Sequence, residues 1–127
     1  MNYFNPKDTI CAITTGGGMS AIAVIRISGN KAISITNSIF SKDIRDAKSH
    51  TIHFGTIIDN HDIVDEVLVS IFKNSSSFTG EESVEISCHG SIYIQINFTM
   101  HCIISKNKCL FCVKFIMQTQ CLHTLKK

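Results

Sequence analysis

Two charged residues stand inside apolar runs of this sequence: Arg26 in AIAVIRI (21–27) and Glu85 in SVEISC (83–88). Side chains alternate between the two sides of an extended chain, so Glu85 points away from its apolar neighbours. A carboxylate in that position can accept the N–H groups of an amino-pyrimidine edge. An arginine inside a strand is costly unless it is paired or faces a ligand. Both residues are therefore candidate ligand contacts.

Each of these signals also has a simpler interpretation. For Arg26 the simpler interpretation is an edge arginine bonded to a nearby acid, and the residues alone favour it. For Glu85 it is a solvated strand residue. Cys88 and His89 resemble a nucleophile and its base, but neighbours in a strand point to opposite faces and seldom form a dyad. We therefore predict that Cys88 is a core thiol and that His89 ends a strand.

The tail offers a weaker signal for a metal. Its candidate ligands are Cys102, Cys109, Cys112, Cys121 and His123. The pair Cys109 and Cys112 has the spacing of zinc ligands. A zinc site usually needs a second tight pair and a glycine for the knuckle, and the tail has neither. Zinc binding is therefore the alternative and not the leading prediction.

The elements that position these residues follow from periodicity. Strands are predicted at 8–15, 21–27, 51–58, 63–72 and 83–88, and helices at 31–40 and from 91 to about 95. Residues 59–62 form the predicted hairpin loop. The glycines at 16–18 fit a dinucleotide fingerprint, but a strand pattern follows them where that motif needs a helix. We predict an α+β domain with one mixed or antiparallel sheet and one or two helices on one face.

Composition divides the chain into two parts. Residues 1–96 hold 7 Lys+Arg and 10 Asp+Glu, whereas residues 97–127 hold 5 lysines, no acid, no glycine and no proline. We therefore predict a junction at Gln95/Ile96. The net charge of +2 is too small to indicate nucleic acid. No secretory leader or membrane span is apparent, and the six cysteines are expected to be reduced thiols of a cytoplasmic protein.

Four blocks of the sequence resemble a known family. DTICAITT, AIAVIRISG, IVDEVLVSIF and SFTGEESVEISCHGS look like the N-terminal domain of the TrmE/MnmE tRNA-modification GTPases, in the family's order, over roughly residues 7–95. The resemblance implies a folate-binding α+β domain related to the aminomethyltransferase type. It also implies a homodimer and a 5-formyl-tetrahydrofolate-like cofactor. Carried over by motif, Arg26 and Glu85 become folate contacts.

The resemblance implies a larger parent enzyme. Members of the family also have helical and GTPase domains, and act with a GidA/MnmG-type flavoprotein on the wobble uridine of tRNA. This chain has no P-loop motif, so we expect no GTP site and no catalytic activity from it alone.

The chain also departs from the family pattern. The usual Pro-Pro-Gly-Arg-Gly-Gly turn is replaced by TGGGMS at 15–20, and the later P-G-E-F-T-x-R-A-F-L-N-G-K block, whose lysine is a folate contact, is missing. We therefore predict an incomplete TrmE-type domain at 1–95, with weak or absent folate binding. Residues 96–127 are predicted to be an out-of-frame or unstructured tail. The alternatives are a small zinc-binding or interaction module using the tail cysteines, and a pseudogene product without function.

Overall fold

The computed structural model describes residues 8–15, 18–73 and 80–98. These residues form a five-stranded sheet and two short helices. In chain order the elements are β1 (Ile10–Ile13), β2 (Ile22–Ser28), α1 (Ala32–Asn37), β3 (Thr51–Asp59), β4 (Asp62–Phe72), β5 (Ser83–His89) and α2 (Ile92–Asn97). The order of strands and helices is the predicted one, and the α+β class is confirmed.

The sheet has the strand order β1-β2-β5-β4-β3, and every neighbouring pair is antiparallel. The last of the described strands, β5, therefore lies at the centre, between β2 and β4. Since β2 has β1 on its other side, it is an interior strand. This arrangement brings the block around Arg26 directly against the block around Glu85.

The β3–β4 hairpin ends in a two-residue turn, Asn60 and His61, with φ of 47° and 76°. Left-handed φ at both central residues is the signature of a type I′ turn, whose twist matches that of the strands it joins. The predicted hairpin loop is therefore confirmed. A register shift lies between Ile57 and Ile58, just before the turn.

The hydrophobic core covers one face of the sheet. It contains alternate residues of β2, β4 and β5, residues of α1 and of the segment that follows it, and Phe98. Its strand members are Cys11, Ala23, Ile25, Ile27, Ile57, Val67, Val69, Ile71, Val84, Ile86 and Cys88. Burying these aliphatic side chains supplies the main driving force for folding, at about 25 cal/mol per Å² of apolar surface.

Helix α1 is shorter than the periodicity predicts. It ends at Asn37, where the sequence suggested Phe40. The physical reason is a tertiary contact: Phe40 forms an isolated bridge with Ile57, and its ring lies against Gly55, where an added Cβ would come within 2.6 Å of it. Contact with the edge of β3 therefore replaces the last turn of the helix.

Helix α2 begins after Ser91, whose hydroxyl accepts the N–H of Ile94 as an N-cap. The helix continues to Asn97, and Phe98 beyond it is fully buried. The predicted junction at Gln95/Ile96 therefore falls inside α2. Within the described part of the chain, no helix is long and apolar enough to cross a membrane.

Candidate ligand-binding face of the sheet

The face of the sheet opposite the core is the open face. It is formed by the alternate residues of β2, β5, β4 and β3 that point away from the core. Across the middle of the sheet these are Val24, Arg26, Glu85, Ser87, Leu68, Ser70, Ile52 and Phe54. Neither helix packs on this side, since the helical core residues all belong to the single cluster on the other face.

Arg26 and Glu85 are direct cross-strand partners at the centre of this face. Their Nη1 and Oε1 atoms are 3.8 Å apart, and the side chains are 33% and 37% exposed. At that distance the two groups attract each other without a hydrogen bond. Among the described residues neither side chain makes any other hydrogen bond, so both keep their hydrogen-bonding capacity for a ligand. The simpler interpretation of Arg26 is wrong about the edge strand, because β2 is an interior strand, but Arg26 does have an acidic partner, Glu85.

A row of mostly apolar side chains runs beside the charged pair. Val24 pairs with Ser87, which pairs with Leu68, and Leu68 pairs with Phe54, so one row crosses four strands. Leu68 and Phe54 are 45% and 56% exposed. A carboxylate and a guanidinium next to exposed apolar side chains suit a flat heteroaromatic ligand that has N–H groups on one edge.

Cys88 lies on the core face, 3% exposed, with its Sγ 3.5 Å from the carbonyl oxygen of Ala23. Burial, aided by the negative charge of Asp65, raises the pKa of this thiol to about 11. A thiol that stays protonated at neutral pH is a poor nucleophile. The prediction of a core thiol is confirmed.

His89 ends β5 as predicted, but it has a partner that the sequence reasoning missed. Its Nδ1 lies 2.6 Å from Oδ1 of Asp65, and its backbone N–H donates to Oδ2 of the same carboxylate at 2.8 Å. Asp65 is almost buried. A signal was available, because Asp65 shares the strand side of Val67 and Val69 and is thus a carboxylate at a core position. The contact ties the ends of β4 and β5 together.

The end of the glycine turn is held against the start of α2. The Gln95 amide donates to the carbonyl oxygens of Gly18 at 3.1 Å and Gly90 at 3.0 Å, and Ser20 N–H donates to Gly90 at 3.0 Å. Gly90 permits this approach, because a Cβ there would lie 2.2 Å from the Ser20 carbonyl oxygen. Strand β2 follows this turn, so the helix required for a dinucleotide site is absent from this position.

The part of the chain that the structure describes has no cluster of three or more His, Cys, Asp or Glu side chains able to hold a metal ion. The tail cysteines and His123 lie outside the described residues, so the zinc alternative stays a prediction.

The fold and the arrangement of the open face together define a class of protein. It is an antiparallel α+β domain with a charged pair on the open face of its sheet. The model of the family described as GTP-binding protein TrmE N-terminus matches residues 9–110. The chain belongs to this family.

Curated relatives agree with the family assignment. The chain is 56% identical to the tRNA modification GTPase MnmE of Flavobacterium johnsoniae over 93 residues, 70% of this chain and 20% of that protein. It is 52% identical over 91 residues to the protein of the same name from Cytophaga hutchinsonii, covering 71% of this chain and 20% of the relative. For Thermoanaerobacter pseudethanolicus the values are 47% over 93 residues, 68% and 20%. The chain thus spans about a fifth of the length of the curated relatives it matches.

Proposed function

We propose that this domain binds a 5-formyl-tetrahydrofolate-like folate on the open face, with Arg26 and Glu85 as its polar contacts. The observation that supports the proposal is the pair itself: two complementary charges, 3.8 Å apart and about one-third exposed, at the middle of an interior strand pair. A pair kept only for stability would contribute little at such exposure, about 0–1 kcal/mol. A role in ligand binding would account for both charged residues at the centre of the open face.

The chemistry of the pair suits the pterin end of a folate. The Glu85 carboxylate can accept two N–H groups from an amino-pyrimidine edge, as carboxylates accept paired donors from a guanidinium. The Arg26 guanidinium can donate to the ring carbonyl next to that edge. The apolar side chains of Val24 and Leu68 supply a surface on which a flat ring can lie. Bound there, the folate would supply the one-carbon group for a transfer reaction.

The family and the relatives' names suggest the setting of this domain. We propose that it serves the modification of a tRNA wobble uridine in the cytoplasm, as part of a GTPase that acts with a GidA/MnmG-type flavoprotein. In that setting it also forms a homodimer. The chain itself has no P-loop motif, so the GTPase activity would belong to other parts of such an enzyme.

We further propose that the chain is a truncated form: a TrmE-type domain, predicted over 1–95, followed by an unrelated tail predicted over 96–127. Because α2 runs to Asn97 and Phe98 is buried in the core, the domain would extend a few residues past that boundary. The P-G-E-F block that carries the family's lysine contact is missing from the sequence. Loss of one charge-assisted hydrogen bond to a ligand weakens binding by about 1.5–3 kcal/mol. Folate binding is therefore expected to be weak.

The test is calorimetric titration of the whole chain with 5-formyl-tetrahydrofolate. The wild-type chain should bind weakly, and Arg26→Ala and Glu85→Ala should each reduce affinity by at least about tenfold, the effect of losing a charge-assisted hydrogen bond. Matched controls are Arg45→Ala and Asp46→Ala, which remove an exposed arginine and an exposed carboxylate in the segment that follows α1. Both controls should bind like wild type.

Two outcomes would contradict the proposal. If the wild-type chain gives no heat of binding at millimolar 5-formyl-tetrahydrofolate, this folate is not its ligand. If binding survives both Arg26→Ala and Glu85→Ala, these two residues are not the binding site. Zinc analysis of the same samples separates the alternative, since stoichiometric zinc would favour a metal-binding module built on the tail cysteines.

A further inference from the structure

The open face is closed on one side of the charged pair and accessible on the other. Ser83 lies two residues before Glu85 on β5 and is only 1% exposed. In the opposite direction the face reaches the row in which Ile22 pairs with His89. Ile22 is 61% exposed, and the His89 side chain is 70% exposed. A ligand longer than one ring system, held at Arg26 and Glu85, therefore has space toward His89 and not toward Ser83.

The His89 ring is held in one orientation by Asp65. Its Nδ1 lies 2.6 Å from Oδ1 of this nearly buried carboxylate, whose Oδ2 accepts the His89 backbone N–H at 2.8 Å. An ionised carboxylate only accepts hydrogen bonds, so Nδ1 carries the hydrogen and Nε2 of the neutral ring is a bare acceptor. Nε2 lies on the far side of the ring from this contact and has no hydrogen-bond partner among the described residues.

The charges around His89 favour a ligand N–H over a ligand anion. Asp65 contacts the ring directly, and the next residue of β4, Glu66, adds an exposed carboxylate at this end of the strand. A ligand carboxylate placed here would meet two like charges. A donor hydrogen avoids that repulsion and satisfies the Nε2 lone pair. The position is therefore suited to an amine or amide N–H.

We propose that Nε2 of His89 accepts a hydrogen bond from N10 of the bound folate, the secondary amine between its two ring systems. Asp65 is the positioning residue. Four residues separate Glu85 from His89 on β5, which is about 13 Å at roughly 3.3 Å per residue. A pterin that has its amino-pyrimidine edge at Glu85 and its ring over Val24 and Ser87 brings N10 to the His89 row. The inference rests on the folate binding proposed above and adds the direction in which the ligand lies.

The test is calorimetric titration of the whole 127-residue chain with two ligands: 5-formyl-tetrahydrofolate and its N10-methyl derivative, which lacks the donor hydrogen. Wild type should bind the methyl derivative about fivefold more weakly, the usual effect of one neutral hydrogen bond. His89→Asn should bind both ligands equally within about twofold, because its amide can still donate to Asp65 but leaves no acceptor at the Nε2 position. The ratio of two affinities within one variant does not depend on how much of that variant is folded.

The matched control is His61→Asn, which changes the exposed histidine of the β3–β4 turn. Asparagine tolerates the left-handed φ of 76° at this position. The variant should keep the wild-type preference between the two ligands.

The positioning role of Asp65 has its own test. In Asp65→Asn the side-chain oxygen can still accept the His89 backbone N–H, but the amide nitrogen donates to Nδ1 and moves the ring hydrogen to Nε2. This variant should therefore lose the preference between the ligands although His89 is intact. Two-bond proton–nitrogen NMR spectra of the neutral imidazole measure the tautomer directly. They should show Nδ1–H in wild type and Nε2–H in Asp65→Asn.

The outcomes separate this contact from the proposed function. Failure of wild type to bind 5-formyl-tetrahydrofolate would overturn both. Binding that depends on Arg26 and Glu85 but is indifferent to N10 methylation would overturn the His89 contact alone, as would a preference that survives in His89→Asn. An Nε2–H tautomer in wild type would also overturn it, and a wild-type preference in Asp65→Asn would contradict the positioning role.

Discussion

The two faces of this sheet are built from the same strands but differ in burial and in polarity. The core face of β5 carries Val84, Ile86 and Cys88, all nearly inaccessible to solvent. The other face of the same strand carries Glu85 and Ser87, which are partly exposed. Neighbouring residues of β5 therefore serve different faces: one packs in the core, and the next presents a polar group that a ligand can contact.

This difference separates the residues expected to stabilise the fold from the residues expected to bind a ligand. Substitutions on the core face should change the free energy of unfolding, because they remove buried apolar contacts. Substitutions of the charged pair should leave that free energy nearly unchanged and alter binding, because an exposed ion pair at 3.8 Å stabilises little. Stability and binding measurements on single variants can test this separation.

The largest effect is expected for Ile86→Ala. Ile86 is fully buried in the central strand, so the variant should lose about 2–5 kcal/mol of unfolding free energy through lost burial and a cavity. Urea denaturation measures it. Ile63→Ala, at an exposed position, is the control and should cost less than about 0.5 kcal/mol. Equal effects at the two positions would mean that the buried face is not the source of stability.

Gly90→Ala should cost about 1–3 kcal/mol, the usual range for forcing atoms into a packed site. The new Cβ would meet the Ser20 carbonyl at 2.2 Å and separate it from the start of α2. Urea denaturation again gives the change. Ser91→Ala provides a comparison at the next residue, since it removes only the N-cap of α2 and should cost about 1 kcal/mol. A neutral Gly90→Ala would contradict the close approach.

Stability should fall as the pH rises from about 9 to about 11, by on the order of 1 kcal/mol, because of Cys88. The folded-state pKa of this thiol is raised from 9.0 to about 11 by burial. Between these values the unfolded thiol has lost its proton while the folded one keeps it, so ionisation favours unfolding. Cys88→Ala should flatten this part of the curve relative to wild type. An unchanged slope would show that the thiol is not shielded.

The smallest effect on stability is expected for the charged pair. Arg26→Ala and Glu85→Ala should each change the free energy of unfolding by less than about 1 kcal/mol, because the pair is partly exposed. A double-mutant cycle with urea denaturation measures the coupling between them. A coupling of several kcal/mol would give the pair a structural role and weaken the argument for a ligand.

Much of the fold follows from local sequence. Alternation identified all five strands, and their ends differ from prediction by a few residues at most. The β3–β4 turn followed from polar residues between two apolar runs. Helix α1 was predicted too long because the contact of Phe40 with Gly55 and Ile57 is made across the fold and leaves no signal in helical periodicity.

The arrangement of the site could be predicted only in part. Alternation placed Glu85 on the polar side of its strand and Arg26 on a side that it shares with Ile22 and Val24. Alternation alone could not bring the two residues together, because the pairing of β2 with β5 joins segments far apart in the chain. The contact between Asp65 and His89 depends on the same long-range order. The core position of Asp65 was visible in the alternation of β4, whereas its partner was not.

Two adjacent residues provide the most direct test of the central claim, that the open face binds folate while the core face stabilises the fold. Urea unfolding of Glu85→Gln and Ile86→Val is measured with and without 5-formyl-tetrahydrofolate, since a ligand that binds only the folded state raises its stability. Ile86→Val should be less stable by about 0.5–1.5 kcal/mol and gain the same ligand increment as wild type. Glu85→Gln should match wild type without ligand and gain no stability from it. A wild-type ligand increment in Glu85→Gln would contradict the account.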